Sequence, residues 1–164
     1  MSLFHRFDAS AYYFFEGLAC IDVNKRRGYR NHKARYGFVD REGKMRILAI
    51  YDAAKDFCGG LAAVKLNDKW GFIDAKGNTI IPFIYDSTYQ FADGLALVQL
   101  NGKYGSIDPK GNTIIPFIYD STYQFADGLA LVQLNGKYSY IDPKGNNVAM
   151  SGARAEYYFR DGME

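Results

Sequence analysis

Residues 94–127 carry three apolar runs separated by turn residues. Leu95-Ala96-Leu97-Val98-Gln99-Leu100 ends at Asn101-Gly102, a pair that tolerates positive φ and therefore predicts a two-residue hairpin. Tyr104-Gly105-Ser106-Ile107 follows as the second strand. Asp108-Pro109-Lys110-Gly111 then predicts a type I turn, with Asp first, Pro second and Gly last. The third run, Thr113 to Tyr119, is nearly all β-branched or aromatic, and Pro116 within it lacks the N–H that a ladder needs, so an edge strand or a bulge is expected. Residues 120–128 read as a loop or a single helical turn, with Phe125 plugging the junction to the next strand group. Because the first and third strands show runs rather than strict alternation, both faces of each are expected to be covered.

The pattern recurs. Lys76 to Tyr104 and Lys110 to Tyr138 are the same 29 residues placed 34 apart. Identical segments need equivalent surroundings, which a stack or ring of units provides. Gly-Leu-Ala stands at Gly17, Gly60, Gly94 and Gly128, and an aromatic anchor at Tyr36, Trp70, Tyr104 and Tyr138. These anchors divide residues 1–164 into one repeat domain with units at about 7–59, 60–93, 94–127 and 128–164. The first unit carries an insertion at 24–35 and the last is a degenerate cap, as an array needs if its edges are not to polymerise. The expected fold is all-β, with tandem 34-residue repeats of antiparallel three-stranded meanders in an open twisted array. A small closed, propeller-like ring is the alternative.

Lys69-Trp70-Gly71-Phe72-Ile73-Asp74, with Asp-Gly-Leu-Ala upstream of its relatives and Gly-Asn-x-Ile-Ile-Pro downstream, resembles the WG, or KWG, β-repeat family of bacteria. The resemblance spans about Phe7 to Met163. It implies a repeat module that most often has no assigned activity. One unit keeps Trp, three use Tyr, and Ser139 replaces the Gly in the last. The ring is therefore expected to be a packing anchor whose neighbouring Gly lets a backbone or ring come close.

Composition narrows the function classes. No run of about 18 apolar residues could form a membrane-spanning helix. Met1 to Gly17 has no secretory h-region, so a cytoplasmic protein is expected, or a surface or periplasmic one if a signal was removed. Cys20 and Cys58 are too few for a disulfide framework or a metal site and are expected to be buried small apolar side chains. The two histidines, His5 and His32, lie outside the regular repeat and no nucleophile elbow is present, so no enzyme, cofactor or metal is expected. Asp40, Asp74, Asp108 and Asp142 supply one carboxylate per turn where calcium wants six to eight oxygens, and are expected to cap their own backbone.

Two surfaces remain as candidates for binding. Lys25, Arg26, Arg27, Arg30, Lys33 and Arg35 crowd the insertion of a chain whose formal net charge is +2. Six cations on one tip repel unless an anion screens them, which points to a polyanion, nucleic acid included, with Tyr29 and Tyr36 available to stack on bases. The second surface is the row Tyr89, Tyr123 and Tyr157, which could line a glycan or peptide site. The expected function is a non-enzymatic repeat scaffold for a protein or polyanionic partner, with a glycan-binding module as the alternative.

Overall fold

The computed structural model describes residues 12–25 and 33–149, and among them the regular elements are all β-strands. Sheet I contains β1 (Ala19–Asp22), β2 (Tyr36–Val39) and β3 (Met45–Tyr51). Sheet II contains β4 (Ala53–Ala54), β5 (Ala62–Leu66), β6 (Lys69–Ile73) and β7 (Thr79–Tyr85). Sheet III contains β8 (Ser87–Thr88), β9 (Ala96–Leu100), β10 (Lys103–Ile107) and β11 (Thr113–Tyr119). Sheet IV contains β12 (Ser121–Thr122), β13 (Ala130–Leu134), β14 (Lys137–Ile141) and β15 (Asn147–Val148). Neighbours in each sheet are antiparallel and follow chain order, and no sheet closes into a barrel. The protein is an open tandem array.

The meander is as expected, with one addition. The segment read as a loop or helical turn contributes a two-residue strand, so sheets II to IV have four strands each. Ser121 and Thr122 find ladder partners in Gln133 and Val132 because the connector runs back along the next hairpin. Sheets therefore change at Asp52, Asp86 and Asp120 rather than at the Gly-Leu-Ala anchors.

Local chemistry explains each strand end. Asn101 and Gly102 take φ of 49° and 79°, the two left-handed residues of a type I′ turn that matches strand twist. Asp108 Oδ1 accepts the N–H groups of Lys110 and Asn112 at 2.9 and 2.8 Å, so the carboxylate caps its own turn. Opposite β10, the register runs Tyr104↔Tyr119 and then Ser106↔Ile115, two residues of β10 against four of β11. Pro116 sits in that bulge, on an edge strand. A Cβ on Gly105 would lie 2.5 Å from the Ile115 carbonyl oxygen, which is why the residue after the aromatic anchor is Gly. Ser139 occupies that position in sheet IV, where β15 ends at Val148 opposite Tyr140 and, among the described residues, no third-strand backbone crosses it.

The core lies between sheets. Phe72, Ile81, Tyr85 and Ala63 of sheet II pack with Ala96, Val98 and Ile107 of sheet III, and Phe91 from the connector closes the cluster. Phe57 meets Phe38 edge-on at 4.9 Å, and Phe91 meets Phe72 in the same way, so the connector Phe does plug the junction. Each such ring, fully buried, contributes roughly 1.5–3 kcal/mol.

Side-chain volume shifts across the ladder from copy to copy. Phe72 faces Ala63 across the ladder, whereas Ser106, its equivalent, faces Leu97. All four are buried, and the Ser106 hydroxyl has no hydrogen-bond partner among the described residues.

Two expectations need correction. The third strands are covered on one face only: Ile81, Tyr85, Ile115 and Tyr119 are buried while Ile80, Ile84, Ile114 and Ile118 are exposed. An edge strand has neighbours on one side, and the bulge turns its alternate residues outward. Cys58 is exposed rather than buried, with its thiol donating to the Phe91 carbonyl at 3.2 Å, because it belongs to the bridge before a surface turn. Cys20 is half-buried, and burial pushes its thiol up to about 12.

Candidate functional site

The third strands form the surface most unlike an ordinary exterior. Tyr51 stacks on Phe83 at 6.4 Å and Tyr85 on Phe117 at 6.3 Å, so consecutive third strands lie beside one another along one side of the array. Their outward positions follow the repeat: Leu48, Pro82 and Pro116 in one row, Ile50, Ile84 and Ile118 in the next. Ile80 and Ile114 share a third row with Arg46, whose guanidinium donates to Asp40 at 2.6 Å. Leu48 is 72% exposed and the five isoleucines between 41% and 50%. Six large aliphatic side chains in register therefore make an apolar ridge, and its one formal charge is already paired. The prolines remove edge N–H groups, so the ridge offers side-chain packing rather than full strand addition.

Ion pairs hold the ridge's supporting strands together. Asp86 accepts from the Lys69 ammonium and, at 3.0 Å, from the Gly102 N–H of the following hairpin. Asp120 does the same for Lys103 and Asn135 N, and Asp52 for Arg35 and Asn67 N. Each carboxylate is held below the usual range chiefly by the side-chain hydrogen bond from its Arg or Lys. Each thus staples one hairpin to the next across a sheet boundary. The recurrence of Arg35, Lys69 and Lys103 at 34 residues was visible in the sequence, but their partnership with an Asp 17 residues later required the fold.

This bears on the basic insertion. Arg35 is the first member of the stapling series, and Lys33 also approaches Asp52 at 3.5 Å. Lys25 is exposed; Arg26, Arg27, Arg30, Tyr29 and His32 lie outside the described residues. At the base of the insertion Asp22 accepts the Asn24 and Arg35 N–H groups, both at 3.0 Å.

The tyrosine row is uneven. Tyr89 is half-buried, Tyr123 exposed, and Tyr157 outside the described residues. The row begins at Lys55, which holds the same phase, donates to the Thr88 carbonyl at 2.7 Å, and lies 5.6 Å from the Trp70 ring and 5.9 Å from the Tyr89 ring. Burial lowers the Lys55 pKa, and the two rings compensate part of that cost. Tyr36, Trp70 and Tyr104 pack against the junction cores as anchors, whereas Tyr138 is about half exposed. Gly60, Gly94 and Gly128 are the positive-φ second residues of turns closing the bridges Cys58↔Leu61, Ala92↔Leu95 and Ala126↔Leu129.

No group of three His, Cys, Asp or Glu side chains gathers among the described residues, and none of their helices is long and apolar enough to cross a membrane. What the fold and its surfaces define is a tandem β-repeat protein with a periodic exterior. The model of the WG containing repeat matches residues 36–70, 70–104 and 104–138, three tandem copies covering more than half of the chain. The chain belongs to the WG repeat family. No curated protein matches it.

Proposed function

We propose that this chain is a non-enzymatic scaffold that holds a protein partner against the third-strand ridge. The observation that carries the reading is the six exposed aliphatic residues, Leu48, Ile50, Ile80, Ile84, Ile114 and Ile118, repeated in phase over three sheets. Contiguous exposed apolar surface of several hundred Å² is a mark of interaction sites. A rigid array of equivalent strands also suits a partner with an extended apolar stripe, since each unit repeats the same contacts.

A displayed-peptide library panned on the full chain, with heparin as a parallel polyanion, tests this. Peptides rich in aliphatic residues should be enriched, should bind with little response to salt, and should be lost on an Ile84→Lys/Ile118→Lys double variant whose circular dichroism is unchanged. Enrichment that survives the double variant overturns the ridge. Heparin binding without peptide binding, weakening steeply as salt rises, would instead favour a polyanion partner at the insertion around Lys25. Capture of an oligosaccharide that depends on Tyr123 would favour the glycan-binding alternative.

A further inference from the structure

Each third strand is flanked by a turn of the following unit. A Cβ on Gly77 would lie 3.5 Å from Ile47 Cγ2, one on Gly111 3.5 Å from Ile81 Cγ1, and one on Gly145 3.4 Å from Ile115 Cγ1. Those turns carry Lys76, Lys110 and Lys144, so one lysine stands in the turn beside each of β3, β7 and β11. All three are exposed, and among the described residues none joins an ion pair, unlike the stapling Lys69 and Lys103. The aspartates of the same turns are committed within them. Asp74 accepts the Lys76 and Asn78 N–H groups, both at 2.9 Å, and the Asn78 amide at 3.0 Å, and Asp108 and Asp142 repeat the set. Glu42 breaks the column of lysines, but its turn has no earlier third strand to flank among the described residues.

Spacing along the ridge selects the shape of what lies on it. The sheets stack with their cores between them, which sets them about 10 Å apart. Ile50, Ile84 and Ile118 therefore recur at about that interval. Same-side residues of an extended chain recur about every 6.7 Å and fall out of step after one unit. Seven residues of α-helix rise about 10.5 Å and stay in step. An extended partner would also need edge N–H groups that Pro82 and Pro116 lack, whereas a helix bonds its own backbone and brings side chains alone.

We propose that the segment held on the ridge is an amphipathic α-helix of the partner, laid across β3, β7 and β11 with one heptad per unit and with acidic side chains along the flank that faces Lys76, Lys110 and Lys144. This rests on the reading of the ridge as a protein-binding surface and names what that surface takes. From β3 to β11 is about 20 Å, which about two heptads span. In each heptad a pair of aliphatic residues meets the exposed pair of one strand, Leu48 with Ile50, Ile80 with Ile84, and Ile114 with Ile118. Exposed ion pairs add little affinity, so the acidic flank fixes the rotation of the helix about its axis while the response to salt stays small.

Two displayed libraries of equal composition, each about three heptads long, test this on the full chain. One fixes aliphatic residues at heptad spacing and the other at strict alternation, with the flanking positions randomised in both. The heptad library should be enriched at least tenfold over the alternating one, with Asp or Glu selected on one flank, and the enrichment should vanish on Ile84→Lys/Ile118→Lys. On a Lys76→Glu/Lys110→Glu variant with unchanged circular dichroism, the same flank should select Lys or Arg instead. Enrichment of the alternating library that vanishes on the isoleucine variant overturns the helix and leaves the ridge standing. A flank that shows no acidic bias, or keeps it on the Lys variant, overturns the placement beside the lysines. Enrichment of neither library overturns the helix, and enrichment that survives the isoleucine variant removes the ridge and the helix together.

Discussion

Phe38, Phe72 and Ser106 stand one repeat apart, and their cross-strand neighbours Cys20, Ala63 and Leu97 vary in the opposite sense. A large residue beside a small one fills each junction, and where Ser replaces Phe, Leu replaces Ala. The exchange keeps packing but strands a hydroxyl in an apolar site. Ser106→Ala should therefore raise stability by roughly 1 kcal/mol, the penalty of a buried unpaired group at its low end. Ser106→Phe alone should destabilise by about 1–3 kcal/mol through overpacking against Leu97. Adding Leu97→Ala should restore most of that, a coupling that denaturant melts in a double-mutant cycle will measure. Additive effects would mean that the two side chains do not share one volume.

Turns and strand boundaries depend on carboxylates. Asp74 and Asp108 are held below their usual pKa first by the side-chain hydrogen bonds of Asn78 and Asn112, and Asp40 and Asp142 first by the backbone N–H groups of Lys44 and Asn146. Asp52, Asp86 and Asp120 are lowered by their cationic partners. A group whose folded pKa is depressed stabilises above its unfolded value and loses that contribution as pH falls through the folded one. Asp56, raised by burial, acts in the opposite sense but is single against these seven. The melting temperature should stay nearly flat from neutrality down to about pH 5 and fall steeply below about pH 4. A flat profile down to pH 2 would show that the capped turns and staples add nothing to the fold. The sequence revealed the turn Asp residues because their partners are four positions away; the staples span a sheet boundary and were not legible.

Contacts in the whole array join consecutive sheets, β3 with β5, β7 with β9 and β11 with β13. Stability is then a sum of units and junctions, and removing one repeat removes one of each. Deleting Lys76 to Pro109 joins Ala75 to Lys110 in phase. The shortened chain should keep its β-rich circular dichroism and a single cooperative transition at a lower melting temperature. Loss of cooperative unfolding would mean that the units are not interchangeable. The same modularity limits how much of the binding surface can be read in advance. Arg35 looked like one cation of a basic tip, yet it occupies the Lys69 and Lys103 position and is engaged with Asp52. Tyr89 and Tyr123 are the same letter in identical blocks and differ in exposure because one lies inside the array and the other near its end.

Period, strands and turns were written in the sequence, because each is set by neighbours within a few residues: Asn101-Gly102 makes a hairpin wherever it falls, and Pro116 bulges an edge strand. Tertiary structure alone decided which side of Thr113–Tyr119 stays open and which Asp meets which Lys. An apolar run has the same letters whether covered on one face or on both. Burial belongs to the neighbouring sheet, and the sheet that covers a residue lies a full repeat away along the chain.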